Sequence, residues 1–145
     1  PIGDLHRELF HPGSPHKFQT DYMDAMEAVR LIRSCGGVPV LAHPGQYKNP
    51  MLMEMMIEDH MMDGIELNHP RNDSRTMEQI RVLCREHDLF MTGGTDFHGL
   101  YTTTPYPLGS FLCPEDGLER LIEAGKKANE AFFRKKASEK DPEQS

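Results

Sequence analysis

Apolar positions change period several times along the chain. Between Asp21 and Cys35, Tyr22, Met26, Val29 and Ile32 recur at helical spacing; Thr20 is placed to cap this helix and Gly36-Gly37 to end it. Val38 to Ala42 is then a short unbroken apolar run, the pattern of a buried strand. Pro39 has no amide hydrogen and must lie near the strand's start. The run closes on His43-Pro44-Gly45. The unit recurs: Asn49-Pro50 opens a methionine-rich helix to about Met62, Asp63-Gly64 breaks it, and Ile65 to Asn68 forms a strand ended by His69-Pro70. A third pass has a helix from about Ser74 to His87, with Met77, Ile80, Leu83, Cys84 and His87 on one side, and a strand from Leu89 to Thr92. A loop over 100–107 precedes a predicted short strand from Leu108 to Leu112. The last helix follows Pro114, with Leu118, Leu121, Ile122 and Phe132 turned toward a core. Residues 1–19, crowded with Pro, Gly and His, read as an irregular lead-in, and the charged 137–145 as a frayed tail.

Strand alternating with helix at this spacing predicts crossover units and a parallel sheet, an α/β domain over residues 20–136. From His43 to His69 is 26 residues and from His69 to Asp96 is 27, about one βα unit each.

Composition narrows the classes. At 145 residues and net charge −7 there is one domain's worth of chain and no general basic surface for a nucleic-acid backbone. The apolar runs are too short for a membrane span, so no membrane partner is expected. Three cysteines without a CxxC pair suit a reducing, cytoplasmic setting. Eight histidines direct attention to metal chemistry.

Ligand-type residues follow directly after each strand: His43, then Glu66, Asn68 and His69, then Asp96 and His98. In parallel α/β sheets the carboxyl ends of the strands share one face, where sites assemble from several strands. In an extended segment Asp96 and His98 would face one site, with Phe97 turned inward. Imidazole with carboxylate suits Zn, Mn or Fe, and such a cluster can polarise a phosphate and activate water. Arg71 and Arg75, just beyond the rim, suit a phosphate grip. The methionines of 51–62 read mainly as core filling, His60 and His87 as helix-terminal residues, and the basic positions of the last helix as a solvated face.

Three segments, Gly36-Gly37-Val38-Pro39-Val40-Leu41-Ala42-His43-Pro44-Gly45, Gly64-Ile65-Glu66-Leu67 and Gly93-Gly94-Thr95-Asp96-Phe97-His98-Gly99, resemble in order and spacing the last motifs of the PHP (polymerase and histidinol phosphatase) family. The likeness is to its TrpH-like branch and covers about 20–125. It implies that the chain is the C-terminal part of a distorted (β/α)7, TIM-like barrel. Two or three divalent ions (Mn, Fe or Zn) would sit at the barrel's rim, and the domain would hydrolyse phosphomonoesters, nucleotides or short nucleic-acid ends. His43, Asp96 and His98 fall on metal-ligand positions. Glu66, Asn68, His69 and Arg71 are the substrate-binding candidates, with His98 or His69 assisting proton transfer.

The family's opening H-x-H segment and its intermediate ligands have no counterpart here. Asp4-Leu5-His6-Arg7-Glu8 is a superficial match, with Glu8 in the second His position and only 37 residues from His6 to His43. The isolated chain is therefore expected to be inactive or nearly so. Its partners would be the missing N-terminal half of the domain, a phosphorylated small molecule or nucleotide and, through exposed sheet edges, a second copy of itself. The alternative is a non-catalytic α/β module with a partner-binding or assembly role.

Overall fold

The computed structural model describes residues 2–11, 13–15, 21–99 and 104–140. Its elements are α1 (Ile2–Phe10), α2 (Ala25–Ser34), β1 (Val40–Leu41), a 3-10 turn at Pro44–Gln46, α3 (Pro50–Glu58), β2 (Gly64–Asn68), α4 (Ser74–Glu86), β3 (Phe90–Gly93) and α5 (Glu115–Lys140). The three strands lie in the order β1-β2-β3, all parallel, as the alternation predicts. Val40 pairs with Gly64, and Ile65 with both Leu41 and Met91. The register slips between Glu66 and Asn68, at the end of β2 where the candidate residues cluster.

Local chemistry sets the helix ends. Asp24, rather than an earlier residue, caps α2 by accepting from Met26 N at 2.9 Å and Glu27 N at 3.2 Å, which leaves Tyr22 outside the helix and 88% exposed. Thr20, the predicted cap, lies outside the described residues, as do Tyr101 to Thr103 and 141–145. Gly36, at φ +76°, turns the chain out of α2. Asn49 caps α3 through Leu52 N at 3.1 Å, with Pro50 in the first turn. Asp73 caps α4 through Thr76 N at 2.8 Å. No helix among the described residues is long and apolar enough to cross a membrane.

One core packs Met53 and Ile57 of α3 and Ile80 and Cys84 of α4 on Ile65 and Leu67 of β2; a second joins Val29, Met56, Met61 and Met62. The methionine segment thus fills the core at four positions, while Met51 and Met55 face solvent. Arg33 ties α2 to this layer through Asp63 and the Met61 carbonyl, both near 3.0 Å.

The architecture departs from the pattern-based expectation in several places. The lead-in is helical over Ile2–Phe10, because its Pro and Gly concentrate at the ends and leave a continuous amphipathic stretch between. Asp4 pairs with Arg7 within it, and the Ser14 hydroxyl donates to the Leu9 carbonyl just beyond it. β1 is only two residues long, since Pro39 interrupts pairing at its start. α3 stops at Glu58; Asp59 and a left-handed His60 turn the chain before Met61. Leu108 to Leu112 is no strand: Ser110 closes a turn on the Pro107 carbonyl at 3.1 Å, and Leu108 and Leu112 are exposed. Pro105, Pro107 and Gly109 explain the failure, as they forbid a regular ladder. α5 continues to Lys140, past the expected fraying point, and its Leu118 and Ile122 are about half exposed.

Candidate functional site

The carboxyl ends of β1, β2 and β3 bring His43, His69, Asp96 and His98 to one rim. His43 follows β1 in a left-handed conformation (φ +32°, ψ +58°). The ring centroids of His43 and His69 are 5.0 Å apart. His69 is 1% exposed, and its Nε2 stands 3.6 Å from Asp96 Oδ2. Asp96 Oδ1 lies 3.7 Å from His98 Nδ1.

Two nitrogens in this cluster, His43 Nδ1 and His69 Nε2, are buried without a hydrogen-bond partner. Burial lowers the His69 pKa from the ordinary imidazole value, against the raising pull of the Glu66 carboxylate. A neutral imidazole is the form that binds metals or shuttles protons.

The Asp96-Phe97-His98 segment reaches the rim by a route other than strand alternation. Asp96 has φ +53°, which breaks the extended repeat, and Phe97 is 42% exposed instead of turned inward. His98 is held by a 2.7 Å contact from Nδ1 to the Asp96 carbonyl oxygen. Its side chain is 65% exposed.

The other candidate residues do different work. Glu66 Oε2 accepts from the His43 amide at 2.8 Å and fixes the loop after β1. Asn68 Nδ2 donates to the Leu112 carbonyl at 2.8 Å, tethering the segment before α5. The Arg71 amide donates to His69 Nδ1 at 3.1 Å. A rim cavity of about 350 Å³ is lined by His69, Arg71, Asp96, Phe97, His98 and Tyr106 among others. A larger cleft of about 660 Å³ opens between the first turns of α3 and α4, lined by Lys48, Arg71 and Arg75 among others. Arg71 borders both; Arg75 borders only the second. The smaller cavity is the candidate for the chemistry, because His69, Asp96 and His98 all line it. His60 and His87 occupy helix ends away from the rim, and His6 belongs to α1.

Sequence reasoning missed Asn72. It is 7% exposed and fully employed: Oδ1 accepts from Gly45 N at 2.9 Å, and Nδ2 donates to the carbonyls of Glu66 at 2.8 Å and Leu67 at 3.0 Å. Only its position three residues after His69 hinted at this. Thr95 was missed too; its hydroxyl accepts from Phe111 N at 3.4 Å.

The donor types present, imidazole nitrogen and carboxylate oxygen, fit a divalent ion, and the orphaned nitrogens mark where partners are wanting. Among the described residues no three His, Cys, Asp or Glu side chains converge closely enough to hold an ion by themselves.

Comparison with known proteins gives consistent relatives. The chain is 36% identical over 102 residues to the phosphoribosyl 1,2-cyclic phosphate 1,2-diphosphodiesterase of Eggerthella lenta, covering 70% of this chain and 38% of that protein. It is 30% identical over 96 residues to the 3',5'-nucleoside bisphosphate phosphatase of Chromobacterium violaceum, covering 63% of this chain and 34% of that one. A crystal structure from Bifidobacterium adolescentis, of a candidate metal-dependent phosphoesterase, superposes with TM-score 0.69 at 28% identity, covering 85% of this chain and 44% of its own. No family model matches. The chain therefore spans between a third and two fifths of the length of these curated relatives.

Proposed function

This chain belongs to the PHP (polymerase and histidinol phosphatase) family of phosphoesterases, and its parallel βα units are part of that family's barrel; on this footing we propose that it is the C-terminal part of a metal-dependent phosphoesterase domain. The observation that carries the reading is the pair of buried, unpartnered nitrogens on His43 and His69, whose rings lie 5.0 Å apart at the ends of adjacent strands, with Asp96 Oδ2 3.6 Å from the His69 nitrogen. Each such group costs roughly 1–3 kcal/mol when left unpaired, a cost that a bound ligand offsets.

We assign His43, Asp96 and His98 to ligand positions of a metal cluster that donors from outside this chain complete, with Asp96 and His98 serving different ions. A divalent ion (Mn, Fe or Zn) held there would polarise a phosphate oxygen and make water a nucleophile near neutral pH. His98 suits the role because its Nδ1 donates to the Asp96 carbonyl, which leaves the Nε2 lone pair free. Glu66 holds the His43 loop in place. Arg71 sets a fixed positive charge beside the cavity where a substrate phosphate would lie. His69, or His98 when no ion occupies it, stands where a proton could pass to the leaving oxygen. A cluster of two or three ions needs donors from beyond this chain, so the 145-residue piece is expected to bind metal weakly and to be close to inactive alone. The substrate class is a phosphorylated small molecule, a nucleotide or a short nucleic-acid end, handled in the cytoplasm.

The test has two arms. Elemental analysis of the chain equilibrated with excess Mn, Fe or Zn should find bound ion at a content that falls in His43→Ala; an ion held to the same content by both overturns the ligand assignment. The complete domain supplied with Mn should release phosphate from a nucleoside bisphosphate, and Asp96→Asn should lower kcat by at least about a hundredfold. An undiminished rate in that variant overturns the reading.

A further inference from the structure

We infer that His69 meets substrate as a fixed hydrogen-bond donor, presenting Nε2–H to a phosphate oxygen, and is not a metal ligand. The inference rests on the phosphoesterase reading for the identity of the oxyanion.

Two main-chain contacts sort the rim histidines. The Arg71 amide faces His69 Nδ1 at 3.1 Å. An amide N–H only donates, so Nδ1 is the acceptor and the ring hydrogen resides on Nε2. A hydrogen on Nδ1, in the other tautomer or the doubly protonated ring, would set two donors against each other. His98 is the opposite case. Its Nδ1 lies 2.7 Å from the Asp96 carbonyl oxygen, which only accepts, so the hydrogen is on Nδ1 and the Nε2 lone pair is free.

One rim therefore carries an imidazole prepared for a cation and another prepared for an anion. The anion-facing one is 1% exposed, lines the rim cavity and has no partner on Nε2. Asp96 Oδ2 at 3.6 Å is too far for a hydrogen bond. A cation at Nε2 would need the lone pair there, which requires moving the hydrogen to Nδ1 against the Arg71 amide. The Arg71 guanidinium borders the same cavity and adds charge beside the donor. A phosphate oxygen, with several lone pairs and negative charge, fits both groups.

The experiment is nitrogen-15 NMR of the histidine rings in the 145-residue chain near neutral pH, with inorganic phosphate and Zn²⁺ as probes, separately and together. The expected result is a His69 proton on Nε2 that shifts with phosphate and survives Zn²⁺. His69→Gln, whose amide also offers an N–H, should keep phosphate affinity within about threefold, whereas His69→Ala should lose roughly tenfold. A proton on Nδ1, its displacement from Nε2 by Zn²⁺, or no response to phosphate overturns the inference. Retained Nε2–H and a phosphate shift, with no phosphate release by the complete domain, would overturn the phosphoesterase reading and leave the donor role standing.

Discussion

The main-chain amide of His43 donates to Glu66 Oε2 at 2.8 Å, so the loop after β1 hangs from the end of the neighbouring strand. His43 holds a left-handed backbone there, a conformation that costs a non-glycine residue about 1–2 kcal/mol and that a charge-assisted bond offsets. Removing the carboxylate should release both the strain and the ring's aim. Glu66→Ala is expected to lose about 1–3 kcal/mol of stability in thermal denaturation, with Glu66→Gln losing less because an acceptor remains. Equal stability in all three proteins would refute this role.

Asn72 should be the most sensitive polar position outside the candidate ligands. Three hydrogen bonds converge on its buried amide, and alanine would leave the Gly45 amide without its acceptor. Asn72→Ala is expected to cost about 2–4 kcal/mol in urea denaturation. A loss within the range of ordinary surface substitutions would contradict the assignment.

Two glycines of α5 should respond in opposite directions. A Cβ on Gly117 would lie 1.8 Å from the Met91 carbonyl oxygen, so Gly117→Ala must push the helix off β3. Nothing lies within 4 Å of a Cβ on Gly125, within the same helix. Gly125→Ala should therefore stabilise by about 0.5–1 kcal/mol, while Gly117→Ala destabilises by several times that. Paired melting curves decide the matter.

Cys84 gives the stability a pH dependence. Burial pushes its thiol up from 9.0 to about 11, despite the opposing charge of Arg120. The folded pKa is raised, so the contribution is complete below about pH 9 and declines as pH climbs toward 11. Stability from denaturant titrations should fall through that window, and more shallowly in Cys84→Ala. An identical fall in the variant would locate the effect elsewhere. At milder pH, Cys84 should resist alkylation while the exposed Cys35 reacts.

What could be read before folding depended on how local the cause was. The three βα passes were legible because Ile65, Leu67, Ile80 and Cys84 announce their elements by periodicity, and Asn49-Pro50 by its capping chemistry. His43, His69, Asp96 and His98 were legible as a group because parallel strands all deliver their ends to one face. The details were not. The left-handed Asp96, which undoes simple alternation, depends on a turn no single residue type announces. Asn68 binds Leu112, 44 positions away, and such a tether leaves no trace in local pattern. The helix in the lead-in was hidden by averaging its composition with that of its flanks.

The Asn72 amide joins the segment after β1 to the end of β2, and Glu66 joins the same two. Positions 45, 66 and 72 therefore answer to one another, although no two are adjacent in the chain. In evolutionary terms they should drift as a block. A lineage that loses the carboxamide at 72 must find a new acceptor for the Gly45 amide before it can keep His43 and His69 in mutual register. The third strand is bound to this block by backbone pairing and carries no side-chain tie to Asn72. The rest of its loop, outside the ligand positions Asp96 and His98, is accordingly the part of the rim most open to change as descendants acquire new substrates.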